Sequence, residues 1–221
     1  MSWLTRLRTG PEHSRDEGAL VAALRAGDET AFARLVDEHS AAMRRLALTF
    51  VRSREVADEV VQEAWLGVLR GIDRFEGRSS LKTWIFRILT NVAKTRAVRE
   101  ARSVPFSSFE TGSDELSVDP DRFFRQGDAG PTGAWSAPPA SWRAVPEERL
   151  LSSETRALID RAIEALPDSQ RVVITLRDVE GFGSEDVCNV LEISETNQRV
   201  LLHRARSKVR AAIEDYLRDD H

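Results

Sequence analysis

The stretch Gly183-Ser184-Glu185-Asp186-Val187-Cys188-Asn189-Val190-Leu191-Glu192-Ile193-Ser194-Glu195-Thr196-Asn197 runs directly into Gln198-Arg199-Val200-Leu201-Leu202-His203-Arg204-Ala205-Arg206-Ser207-Lys208-Val209-Arg210. The first part carries Val187, Cys188 and Leu191 at helical spacing and stops at a polar turn. The second holds five basic residues and no acid. A short apolar-faced helix, a turn and a basic helix make a helix-turn-helix, whose second helix enters a major groove. Arg199, His203, Arg206 and Arg210 follow at intervals of four, three and four and share one face, with Leu202, Ala205 and Val209 on an adjacent one. Arginines at the entering end reach guanine edges or phosphates, and those further along hold the backbone. A solvated arginine stripe is the plainer alternative, and the small polar residues Ser194 and Thr196 in the preceding turn weigh against it.

Working outward, the C-terminal unit begins near Ser153. Leu158, Ile159, Ala162, Ile163 and Leu166 form a helical stripe that Pro167 ends. Asp168 is expected to cap a helix over Ser169 to Asp178 that buries Val172, Val173 and Leu176. Gly181 and Gly183 make a turn, Ser184 is expected to cap the next helix, and Ser194 the last one. Four short helices make a small domain of the size of ordinary DNA-binding modules.

Six of the eight prolines lie between Pro105 and Pro146, together with Gly112, Gly127, Gly130 and Gly133. No helical period is sustained there, so residues 103–152 read as a linker between two compact units. Phe123, Phe124, Trp135 and Trp142 are too apolar for a plain spacer and are expected to dock on a domain or on a partner.

The N-terminal unit is helical as well. Asp28 is placed to cap a helix with Phe32, Leu35 and Val36 on its inner face, continued by Met43, Leu46, Ala47 and Phe50. Ser53 precedes a stripe of Val56, Val60, Ala64, Trp65, Val68 and Leu69. Gly71 to Ser80 breaks it, and Ser79 or Ser80 restarts a helix that buries Trp84, Ile85, Ile88, Leu89 and Val92. Nothing alternates long enough to be a strand. The fold class is therefore all-α: two small helical domains joined by a long irregular linker, the C-terminal one a helix-turn-helix.

The chain of 221 residues has a formal net charge of -4, against expectation for a protein that binds nucleic acid unaided. The distribution matters more. Six bases and one acid, Glu100, lie between Lys82 and Arg102, whereas four acids face Arg54 alone between Arg54 and Glu63. One segment suits a polyanion and the other a basic surface, so the pattern is that of a protein touching DNA and a protein partner together. Asp58, Glu59, Gln62 and Glu63 make a polar ridge, although a solvated helix face would look the same. Trp84, Arg87, Asn91 and Lys94 recur at helical spacing beyond the loop Arg74-Phe75-Glu76-Gly77-Arg78-Ser79-Ser80, a combination suited to unstacked bases and their phosphates. Trp84 taken alone reads more naturally as core.

Other classes find little support. Cys188 is the single cysteine, which excludes an intramolecular disulfide, and it reads as a small buried hydrophobe. His13, His39, His203 and His221 have no ligand spacing, and no nucleophile–base set or phosphate-binding glycine loop stands out, so no metal, cofactor or catalytic site is expected. No apolar run reaches the roughly 18 residues of a membrane span, and Met1 to Gly10 lacks the apolar stretch of a secretory signal. The expectation is a cytoplasmic, non-enzymatic protein without membrane insertion.

Together these residues resemble an extracytoplasmic-function (ECF) sigma factor of the sigma-70 family. Asp58 to Trp65 is similar to the region 2 segment that docks on core RNA polymerase, Phe75 to Asn91 to the segment that opens and reads the promoter -10 element, and the helix-turn-helix to region 4, which reads the -35 element. The likeness covers about 20–100 and 153–218. It implies a region 2 domain over 18–102 and a region 4 domain over 153–219. Polymerase binding would fall to Asp58, Glu59, Gln62 and Glu63. Contacts in the -10 region would fall to Arg78, Lys82, Trp84, Arg87, Asn91 and Lys94, and those in the -35 region to Asn197, Arg199, His203, Arg204, Arg206 and Arg210. Bacterial core RNA polymerase and promoter DNA are the implied partners, with an anti-sigma protein as a further candidate. The chain departs from common members at Thr95 (often an acid), Glu192 (often glycine), Gln198 (usually apolar) and Leu201 (commonly arginine), which forbids copying another member's -35 sequence. A stand-alone helix-turn-helix regulator is the alternative, but it leaves the acidic ridge and the Trp84 segment without a joint role. An RNA-modifying or nuclease enzyme with an accessory DNA-binding domain would need an acid/base or metal constellation that cannot be assembled here.

Overall fold

The computed structural model describes residues 11–99 and 153–219, with side chains from 16 to 99 and from 154 to 216. The Pro/Gly-rich segment, with Phe123, Phe124, Trp135 and Trp142, lies outside the described residues. The regular elements of the described residues are all helices, with no strand, and fall into two compact units.

The first unit contains α1 (Pro11–Arg25), α2 (Glu29–Ala47), α3 (Arg54–Gly71), a short 3-10 turn (Ile72–Arg74) and α4 (Leu81–Arg99). The capping residues act as their positions predict. Asp28 accepts from the amides of Thr30 (2.9 Å) and Ala31 (3.0 Å), Ser53 from that of Val56 (3.4 Å), and Ser80 from that of Thr83 (3.1 Å). Each satisfies helix-end donors that have no partner within the helix. The core gathers Leu35, Met43, Leu46, Val60, Val68, Ile85 and Leu89. Close approach of α3 and α4 needs a residue without a side chain, because a Cβ on Gly67 would stand 2.9 Å from Ile88 Cγ2.

Two inner-face expectations are corrected. Leu69 is 48% exposed, and Phe86, which the stripe on α4 omitted, is fully buried. The inner face of α4 is rotated toward Phe86, Thr90, Ala93 and Ala97, while Trp84, Ile88 and Val92 are only half-buried. A helix in contact with two neighbours buries a wider arc than one apolar stripe reveals.

Phe86 meets His39 edge-on, with ring centroids 6.3 Å apart, and His39 is buried. Burial is the main cause that pushes the His39 imidazole below its ordinary value of 6.5, Lys82 pushes the same way, and Glu38 opposes. The folded state therefore binds fewer protons than the unfolded chain below about pH 6.5, so stability is lost as pH falls through that range and is unaffected above it. Thermal unfolding from pH 7.5 to 5 is expected to show a steeper loss for the native sequence than for His39→Gln. Parallel pH profiles would place the dependence elsewhere.

The second unit contains α5 (Ser153–Glu164), α6 (Asp168–Ile174), which continues as a π-helical turn (Thr175–Val179), α7 (Ser184–Leu191) and α8 (Glu195–Asp219). Its core is built from Leu166, Val172, Val173, Leu176, Leu202, Ala205 and Ile213. Two cap assignments change. Pro167 occupies the cap position of α6 without a side-chain bond, and Asp168, inside the first turn, pairs with Arg171. The Val187 amide bonds to the Gly183 carbonyl, so Gly183 takes the cap position before α7 and the Ser184 hydroxyl turns elsewhere. Cys188 is half-buried, and burial raises its thiol pKa, as suits a packing residue better than a reactive one.

Candidate protein and nucleic-acid interfaces

Helix α3 turns Ala57, Val60, Val61, Ala64, Trp65 and Val68 inward, which leaves its polar ridge on the outside. The four ridge residues are not equivalent. Asp58 is ion-paired with Arg44 of α2, and Glu59 with Arg96 of α4. Pairs this exposed add little stability but orient both partners. Gln62 and Glu63 are exposed. One and two turns further on, Leu66 (49% exposed) and Leu69 extend the ridge into an apolar strip. The sequence reading missed Leu66 and placed Leu69 inside. Their spacing behind Gln62 and Glu63 was the available signal.

On α4, Trp84, Arg87, Asn91 and Lys94 follow at three, four and three residues and share one face. Trp84 is braced from below: its ring lies 5.2 Å from that of Phe75, and a Cβ on Gly71 would stand 3.1 Å from its Cζ2. The indole is therefore fixed but half-exposed, which reconciles its core and surface readings. Lys82 lies on the other side of the helix, its ammonium 5.9 Å from the centre of the Phe86 ring, and does not join this group. Arg78 projects from the preceding loop, 85% exposed and 2.9 Å from Glu76. Thr95 donates back to the Asn91 carbonyl at 2.8 Å, so its hydroxyl serves the helix itself.

In the second unit the turn between α7 and α8 places Glu192 at φ 61, the left-handed conformation that favours glycine. Ser194 caps α8 by accepting from the Asn197 amide at 3.2 Å. Gln198 is 2% exposed, and its Oε1 accepts from the Ser184 hydroxyl at 3.0 Å, so a polar pair ties the two helices where an apolar residue is usual. Leu201, in place of the common arginine, is buried. The predicted DNA-facing residues separate into two sets. Arg199 opens the second turn of α8, highly exposed and 2.7 Å from Glu195; His203 is exposed and Asn197 and Arg204 are half-exposed nearby. Arg206 instead donates twice to the Asp178 carboxylate, at 2.8 and 2.6 Å. With Arg210 it lines a groove of about 350 Å³ walled by Ile159, Ile174 and Ile213. The shared helical face is real, but tertiary packing occupies its C-terminal half.

This arrangement of two helical units coincides with two family matches: Sigma-70 region 2 over residues 35–103 and Sigma-70 region 4 over 156–209. The RNA polymerase sigma-H factor of Pseudomonas aeruginosa is 30% identical over 200 residues, covering 90% of this chain and 95% of its own. The ECF RNA polymerase sigma-E factor of Escherichia coli (strain K12) is likewise 30% identical over 199 residues, with 90% of this chain and 95% of its own covered. The chain is an ECF sigma factor. Among solved structures, CnrH in complex with the cytosolic domain of CnrY shares the fold, with a TM-score of 0.55, 20% identity, and coverage of 90% of this chain and 97% of CnrH. Sigma factors are initiation factors, not enzymes. In this sigma factor the α3 ridge and the α4 face fall in region 2, and the helix-turn-helix falls in region 4. Helix α1 precedes both matches. Among the described residues no cluster of side chains is suited to a metal ion, and no helix is long and apolar enough to cross a membrane.

Proposed function

We propose that this sigma factor binds bacterial core RNA polymerase through the α3 ridge and divides promoter recognition between its domains. Residues 18–102 take the -10 element, 153–219 the -35 element, and 103–152 link them. Gln62 and Glu63 present the outward part of the polymerase contact, with Asp58 and Glu59 also tying α3 to its neighbours. Trp84, Arg87, Asn91 and Lys94, with Arg78 from the loop, capture unpaired bases and their phosphates. Stacking on an aromatic ring contributes about 1–3 kcal/mol per base, so opening is driven by capture and by polymerase contacts, without nucleotide hydrolysis. Asn197, Arg199, His203 and Arg204 meet the -35 duplex, with Arg206 and Arg210 supporting the helix that carries them. The net charge of -4 fits a protein whose DNA affinity depends on polymerase. The protein acts in the cytoplasm, and an anti-sigma protein controls it by covering one of these faces.

The observation that carries this reading is the coexistence of an acidic ridge and two separate DNA-suited faces within the two matched regions. Purified protein with bacterial core polymerase is expected to give defined transcripts from a genomic promoter library, and none without core. Specific operator binding by the protein alone, with no association with core at any salt concentration, would favour the stand-alone regulator.

A further inference from the structure

Helix α1 lies before the residues matched by region 2, yet two of its side chains hold the loop that leads into α4. At the start of that loop the Arg25 guanidinium donates to the carbonyls of Ile72 (3.3 Å) and Phe75 (2.5 Å). The Ile72 carbonyl opens the 3-10 turn and also accepts from the Phe75 amide at 3.1 Å, whereas Phe75 caps the end of the turn; a planar guanidinium can serve both oxygens at once. At the other end the Glu17 carboxylate accepts from the Leu81 amide, at the first residue of α4. Ser80 takes the Thr83 amide, so Glu17 satisfies a different donor of the same helix end, where negative charge is also favoured by the helix dipole.

Glu17 and Arg25 are about 12 Å apart along α1 at ~1.5 Å per residue, so one rigid element pins both ends of the loop. Val21 and Leu24, between the pins, are buried, and α1 packs on α2 and on the 3-10 turn. Between the pins the loop keeps its side chains outside: Glu76 is 65% and Arg78 85% exposed, and Gly77 turns the chain at φ 70. A glycine-containing loop has many backbone states, and selectivity requires one of them to be held before the base arrives.

We infer that α1 braces the loop Phe75–Ser80, with Glu17 and Arg25 as positioning residues that set which unpaired -10 base the loop accepts. This rests on the -10 role proposed above for the loop. Neither side chain needs to touch DNA.

The test uses the full chain with bacterial core polymerase on promoters that differ by one base at each -10 position. Arg25→Ala is expected to retain core binding while the preference for the best -10 sequence over its single-base variants falls at least about fivefold, the lower end of what one base contact discriminates. Arg25→Lys should restore part of that preference, because an ammonium reaches one carbonyl but lacks the fork. Glu17→Ala should reduce the preference, whereas Glu17→Gln, which keeps an acceptor, should retain most of it. Hydrogen exchange across residues 75–81 of the free protein should accelerate in the alanine variants. If Arg25→Ala does not fold, Arg25→Lys and Glu17→Ala carry the same comparison. A uniform fall in transcription with the -10 preference unchanged overturns the brace, as does unaltered loop exchange. Wild-type protein that fails to initiate with core refutes the function proposed for the loop; wild-type initiation with unchanged preference in every variant refutes the brace alone.

Discussion

Replacing Gln62 and Glu63 together by lysine is expected to weaken association with core RNA polymerase by roughly 100-fold or more. Both residues are exposed on α3 and flank the apolar strip of Leu66 and Leu69. Juxtaposed like charges at an interface cost several kcal/mol, and about 3 kcal/mol corresponds to about 100-fold in affinity. The fold should persist, because neither residue contributes to the buried core. The melting temperature is therefore predicted to stay close to that of the native protein while transcription disappears. Asp58→Asn should behave differently, since it also removes the ion pair with Arg44 of α2. Equilibrium binding to core at several salt concentrations checks this directly. Wild-type affinity in the double variant would remove the ridge from the polymerase interface.

Arg199→Ala and Arg206→Ala are expected to fail in different ways, although the residues share a helical face. Loss of a base-reading contact by Arg199 should cost about 1–3 kcal/mol of discrimination, seen as a promoter-selective defect confined to templates with a -35 element. Arg206 is bonded twice to Asp178, with its side chain 55% exposed, so its removal should cost about 1 kcal/mol or less of domain stability. Its effect on transcription should be similar with and without a -35 element. The measurement pairs thermal unfolding with holoenzyme binding to both promoter types. A promoter-selective loss for Arg206→Ala equal to that of Arg199→Ala would show that Asp178 releases the guanidinium to DNA in the complex.

Much of the candidate site depends on local chemistry. The caps at Asp28, Ser53, Ser80 and Ser194, the break at Gly71 and the turn before α8 follow from residues within a few positions of one another. Helical spacing also places Arg199 and His203 on one face, and Trp84, Arg87 and Asn91 on another. Spacing specifies a direction around a helix axis, whatever surrounds it. That is why an all-α, two-domain architecture with a helix-turn-helix was legible from the chain.

The occupant of each direction was decided by helix crossings. Asp58 meets Arg44, and Glu59 meets Arg96, only because α3 packs against both α2 and α4. The Asp178 carboxylate reaches Arg206 across 28 residues of sequence. Phe86 displaced Trp84 from the centre of the core because Gly71 and Phe75 hold the indole at the rim. The grip of Glu17 on the start of α4, 64 residues away, has no counterpart in any local pattern. Capping and periodicity act over one or two turns, within reach of a linear reading, whereas a long-range ion pair depends on the angle and distance at which two helices pack, which side-chain volumes across the whole core determine together.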